Sequence, residues 1–129
     1  MIAVEALRVR LGRAQILDGL DFQLGRGQSL ALWGQNGAGK TTVIRALLGL
    51  VPFQGRVSLA GLSMPEQGRA ARAAVGYVPQ LLAYDQDMDC LGLLRFFGAI
   101  RGAPVEAPRQ LLAQLGLEAQ ATKAVGALS

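Results

Sequence analysis

Residues 34–42 read GQNGAGKTT, and no other stretch of the 129-residue chain limits its fold as tightly. Gly34, Gly39, Lys40 and Thr41 satisfy the pattern G-x-x-x-x-G-K-S/T, which ordinary residue frequencies produce by chance in well under ~1% of chains this size. The flanks agree with it. SLALW, just before, is a nearly continuous apolar run of the kind that forms a strand buried on both faces of a parallel sheet. Residues 41–48, just after, carry Val43, Ile44, Leu47 and Leu48 at helical spacing. Gly49 can close that helix in the left-handed conformation, and Pro52 prevents its resumption. Strand, glycine loop and helix in that order are the context such a loop requires.

The residue types explain the chemistry. Glycines let the backbone turn so tightly that successive N–H groups converge on phosphate oxygens, and a helix starting after Gly39 adds its dipole at the same place. Lys40 would reach the β- and γ-phosphates, and the Thr41 hydroxyl would ligate Mg²⁺. The chain has only two lysines, Lys40 and Lys123, so one of them sits in this loop. A guanine-reading N-K-x-D motif is excluded, because the only asparagine is Asn36 within the loop itself.

The rest of the chain frames the loop. IAVEALRVRL alternates well enough for a strand and is followed by a turn at Gly12-Arg13; LDFQL is a second extended stretch, and GRVSLAG and AVGYVPQ read as two more strands. After Gln80 the pattern changes. LGLLRFFGAIRG places Leu93, Phe96, Phe97 and Ile100 on one helical face with Arg95 opposite, and a second amphipathic helix runs through Leu111, Leu112 and Leu115 to a stop at Gly116. A short third helix is expected over residues 118–124. An α/β part over residues 1–84 and a helical part over 85–129 follow from this, within the size of one domain.

Composition excludes several functions. There is no histidine, so Ser-His and Cys-His catalysis and zinc sites of the His/Cys type are ruled out within these residues. Cys90 stands alone, which excludes an intrachain disulfide and fits a reducing compartment. No basic segment followed by an apolar stretch opens the chain, and the longest greasy run is too short to span a bilayer, so a cytoplasmic chain is the expectation. The net charge of +4 comes from scattered arginines rather than a stripe with stacking aromatics, and no nucleic-acid partner is expected.

The stretch from LDGLDFQLGRGQSLALWGQNGAGKTT to GRVSLAG resembles the Walker A region of the ATP-binding subunits of ABC transporters. VGYVPQ resembles the strand leading into their Q-loop, and the final VGALS resembles the approach to their LSGGQ signature. The resemblance implies an α/β fold of the P-loop NTPase, ABC type, in partial form: the front of the core plus part of the helical subdomain. It makes Gly34, Gln35, Asn36, Gly37, Ala38, Gly39, Lys40, Thr41 and Thr42 the phosphate cradle for ATP. Gln80 becomes the Q-loop glutamine, acting with Thr41 on Mg²⁺ and the attacking water. Ser129 becomes the signature serine, facing the nucleotide of a second copy.

The resemblance also implies a membrane permease as partner, a second nucleotide-binding domain, and a place at the inner face of the membrane reached only through that permease. DQDMDCLGLLRFFGAIRG is most like the exporter-type subunits, including drug and copper-linked systems. Two departures stand out. Where such subunits stack adenine on an aromatic after the first strand, this chain has Leu11, which offers a purine less contact surface. No apolar run ends in Asp-Glu, so the carboxylates that position Mg²⁺ and water are missing, and binding without efficient hydrolysis is expected. A non-transport ABC ATPase of the translation or repair type, and a degenerate fragment without activity, stand as alternatives.

Overall fold

The computed structural model describes residues 1–80 and 84–128. They divide into two compact units, Met1–Tyr77 and Val78–Ser129.

The first unit begins with a hairpin, β1 (Ile2–Leu11) and β2 (Ala14–Leu24), joined through the expected turn at Gly12-Arg13, with Leu11 opposite Ala14. Strict alternation does not hold along the whole of β1, since its buried positions are Val4, Leu7 and Val9, separated first by three residues and then by two. The extra residue is absorbed by a bulge at Ala6, whose backbone has φ 48° and whose N–H donates to the Asp21 carboxylate at 2.7 Å. A bulge leaves an N–H without a ladder partner, and here a side chain supplies one.

β3 (Gln54–Leu59) and β4 (Leu62–Met64) complete an antiparallel sheet of order β2-β1-β3-β4. Val4, Leu7, Val9, Val57, Leu59 and Met64 form its core with Ala46 and Ala71. The last two come from α1 (Lys40–Leu47) and α2 (Gly68–Ala73), where a methyl side chain lets each helix lie close to its neighbours. Gly49 closes α1 as expected, with φ 67° and its N–H on the Ala46 carbonyl. Neither α2 nor β4 is expected from the sequence pattern.

Two expected strands do not form. SLALW and AVGYVPQ are irregular, and in the first of them Leu30, Leu32 and Trp33 are exposed, Trp33 by 98%. An apolar run becomes a parallel strand only when neighbours take its N–H and C=O groups. Among the described residues no strand lies beside either run, since the four-stranded sheet takes its partners from β1 to β4.

The second unit holds α3 (Cys90–Ile100) and α4 (Ala107–Gln114). Asp89 caps α3, accepting the Gly92 N–H at 2.7 Å. The first N–H groups of that helix are taken by a returning segment, Cys90 donating to the Lys123 carbonyl and Leu91 to that of Ala121. The expected third helix shrinks to 3-10 turns at Glu118–Gln120 and Val125–Ala127. The expected apolar face of α3 is largely open: Phe96, Phe97 and Ile100 are exposed, while Cys90 and Leu91 are buried. No described helix is long and apolar enough to cross a membrane.

Candidate functional site

The glycine loop leaves β2 through a turn in which the Gly25 N–H donates to Gln28 Oε1 at 2.6 Å, and it ends at the first residue of α1. Its internal ties are few. Ala38 N–H donates to the Gln35 carbonyl at 3.1 Å, and Lys40 Nζ folds back to donate to the carbonyls of Gly34 at 2.6 Å and Gln35 at 2.8 Å. An ammonium carries three donors, so these two bonds pin the side chain over the loop and leave one N–H for an anion.

α1 starts in an unusual way for a helix. Its N-cap, Gly39, lies in the left-handed region at φ 91° and ψ 4°, and no side chain caps it. A residue with a Cβ is strained there. The first helical bond runs from Val43 N–H to the Gly39 carbonyl at 2.9 Å. Among the described residues, the N–H groups of Lys40, Thr41 and Thr42 donate to nothing in the protein. The first turn has no acidic side chain, and the last turn holds Arg45. Unpaired donors, the positive end of the helix dipole and a lysine thus converge on one stretch of backbone, an arrangement chemically suited to an anion such as a phosphate.

The sequence-derived candidates divide by position. Gly34, Gln35 and Lys40 are brought together by the lysine's bonds; Gly39 is buried, Thr42 half-buried, and Gln35, Asn36, Gly37, Ala38 and Thr41 are exposed. Leu11 sits exposed at the end of β1. Gln80 is exposed and belongs to the second unit, whereas Lys40 and Thr41 belong to the first. Ser129 lies outside the described residues. Sequence reading missed Ile16 and Leu17. A Cβ on Gly39 would fall 3.0 Å from Leu17 Cδ2 and 3.4 Å from Ile16 Cγ2 and the Ile16 carbonyl, so β2 walls the loop at its last glycine. The apolar Ile16-Leu17 pair was the available signal, but it reads equally as ordinary core.

A cavity of about 440 Å³ opens beside the loop between Leu30, Leu32, Lys40, Thr41 and Ile44. Its walls are mostly aliphatic, so it suits further apolar packing rather than a charged ligand. A second, of about 470 Å³ near Arg8, Arg10 and Phe53, includes no residue of the loop.

Comparison with known proteins identifies the family. The Nod factor export ATP-binding protein I of Ralstonia nicotianae is 41% identical over an alignment covering 100% of this chain and 42% of that protein. The protein of the same name from Burkholderia orbicola is 40% identical, covering 93% of this chain and 41% of that one. The chain therefore spans about two fifths of the length of the curated relatives it matches. A solved structure described as the ATP binding subunit of an ABC transporter superimposes with a TM-score of 0.83 at 26% identity, covering 99% of this chain and 55% of that one. The sequence profile of the family described as ABC transporter matches residues 17–129, from the wall of the glycine loop onward, and the chain belongs to that family.

Proposed function

We propose that the chain binds ATP through the glycine loop, as part of an ATP-binding subunit that drives export through a membrane permease. The observation that carries this is the state of the loop: Lys40 is pinned to Gly34 and Gln35, and the uncapped N–H groups of Lys40, Thr41 and Thr42 stand beside it. The residues fit a triphosphate, since the cradle offers donors and positive charge. They fit Mg²⁺ only in part. Among the described residues there is no cluster of three or more acidic, Cys or His side chains able to hold an ion. The Thr41 hydroxyl would be the first unit's donor, with phosphate oxygens and water filling most of the rest, as suits an ion that keeps several waters; a role for Gln80 on the ion rests on the family resemblance alone. Bound Mg²⁺ would neutralise phosphate charge.

In this reading residues 1–84 carry the cradle and residues 85–129 begin the helical subdomain, and Ser129, outside the described residues, is assigned to the nucleotide of a second copy on the family resemblance alone. Gly34 to Thr42 hold the phosphates, and Leu11 packs against the base. Export rests on relatives named as export proteins, and the permease and a place at the inner membrane face rest on membership of the ABC transporter family. The test is a thermal shift with Mg-ATP, read alongside the fluorescence of Trp33. That residue is the only tryptophan and directly precedes Gly34. A ligand at 100 times its Kd raises stability by about 2.7 kcal/mol. A shift that is present in the wild type and lost in Lys40→Ala supports the reading; a shift that survives in Lys40→Ala overturns it.

A further inference from the structure

The loop is held from inside by very little. The Ala38-Gln35 bond and the two lysine bonds all lie ahead of Gly39 or span it from above, and no side chain caps the helix that follows. Gly39 is nevertheless buried, and what buries it is β2. Leu17 Cδ2, at 3.0 Å, and the carbonyl and Cγ2 of Ile16, at 3.4 Å, border the position that a Cβ of Gly39 would take. Leu17 pairs in register with the fully buried Val9 of β1 and packs against the sheet core. The Gln15 side-chain amide donates to the Leu17 carbonyl at 2.6 Å, tying the strand locally at this point. Leu17 therefore joins the rigid hairpin to the one residue from which both the helix and the Lys40 backbone depart.

We propose that Leu17 is a positioning residue for the phosphate cradle: its side chain, packed on Gly39, sets where α1 begins and hence where the N–H groups of Lys40 to Thr42 and the lysine stem are placed. This rests on the reading that the loop binds phosphates. Without the Leu17 methyls, the tight approach at Gly39 opens and only the short loop bonds remain to fix the start of the helix. A cradle loosened in this way loses affinity for the phosphates and not for the base.

The test compares Leu17→Ala with Leu20→Ala, a truncation on the same strand that also thins the core packing but does not supply the nearest atoms to a Cβ at Gly39. Leu17→Val, a smaller trim, serves if the alanine variant does not fold. Amide exchange is followed in the nucleotide-free chain at Val43, whose bond to Gly39 reports the helix start, and at Val57 in β3. The expected result is that Leu17→Ala accelerates Val43 about tenfold more than Val57, while Leu20→Ala accelerates both alike. Calorimetric titration with Mg-ATP and with inorganic tripolyphosphate should show the Kd of both rising by the same factor, about tenfold, in Leu17→Ala. Leu17→Met should restore it, and Leu20→Ala should leave it within about twofold.

Equal acceleration of Val43 and Val57 in Leu17→Ala overturns the proposal, as does an unchanged Kd for both ligands. If the wild-type chain binds neither ligand, the phosphate-site reading fails, and the exchange comparison still decides whether Leu17 fixes the helix start.

Discussion

Alanine at position 39 would impose two separable costs on one residue. The backbone there sits at φ 91° and ψ 4°, and a left-handed conformation costs a residue with a Cβ roughly 1–2 kcal/mol. The new methyl would also stand 3.0 Å from Leu17 Cδ2 and 3.4 Å from the Ile16 carbonyl. The leucine tip is the far end of a partly buried, flexible side chain and can give by a few tenths of an ångström at some loss of packing on the sheet core, whereas the carbonyl belongs to a paired strand. Overpacking of this kind typically costs ~1–3 kcal/mol. Together the two give a loss of about 2–5 kcal/mol, a large part of a domain's usual ~5–15 kcal/mol. Urea unfolding of the wild type, Gly39→Ala, Leu17→Ala and the double variant would measure each part. Leu17→Ala removes the methyl that the new Cβ would strike, so the double variant should lose about 1 kcal/mol less than the sum of the single losses, while the backbone cost persists. Losses that add to within about 0.5 kcal/mol, or a Gly39→Ala variant that close to wild type, would show that the loop turns away from its wall and that the steric argument fails.

Leu7 is completely buried in the middle of the sheet, so Leu7→Ala should cost about 2–5 kcal/mol in urea unfolding, with the spread set by how far the strands relax into the gap. A cost below ~1 kcal/mol would contradict its central position. Asp89→Ala should destabilise α3 by about 1 kcal/mol through loss of the cap on Gly92, measured as faster amide exchange confined to that helix, and Asp89→Asn should restore most of it. Trp33, at 98% exposure, should be quenched by acrylamide nearly as readily as a free indole; strong protection in the nucleotide-free chain would contradict the irregular course of residues 29–33.

What the sequence disclosed depended on the range of the forces involved. The loop was legible because the phosphate cradle proposed for it demands particular residue types at fixed spacing, and Gly34, Gly39 and Lys40 are specified by local backbone and charge. α1 and its stop were legible for the same reason, since Val43, Leu47 and Gly49 act within two turns of one another. Asp89 before an apolar helix is likewise a local device. SLALW misled because its hydrophobicity states that it should be buried, not what would hydrogen-bond to it, and strand formation is decided by distant partners. The exposed ring faces of Phe96 and Phe97 show the same limit for helices: periodicity groups them on one side without saying what covers that side. Leu17 was hidden differently. Its apolar character was plain, but its value lies in touching a glycine that is 22 positions away along the chain (39 − 17).

The strand order has a consequence for how the chain comes together as it is made. β1 can zip onto β2 as soon as residue 24 has emerged, because a two-residue turn brings their ends together at little entropic cost. The other edge of β1 must wait for residues 54–59, with Ile2 finding Leu59 only after the whole glycine loop and α1 have been laid out between them. The glycine loop and α1 thus lie in the tether whose ends the second pairing must join. Anything that shortens or stiffens residues 34–47, a bound anion included, lowers the entropy lost in that closure and should hasten the step that seals the sheet.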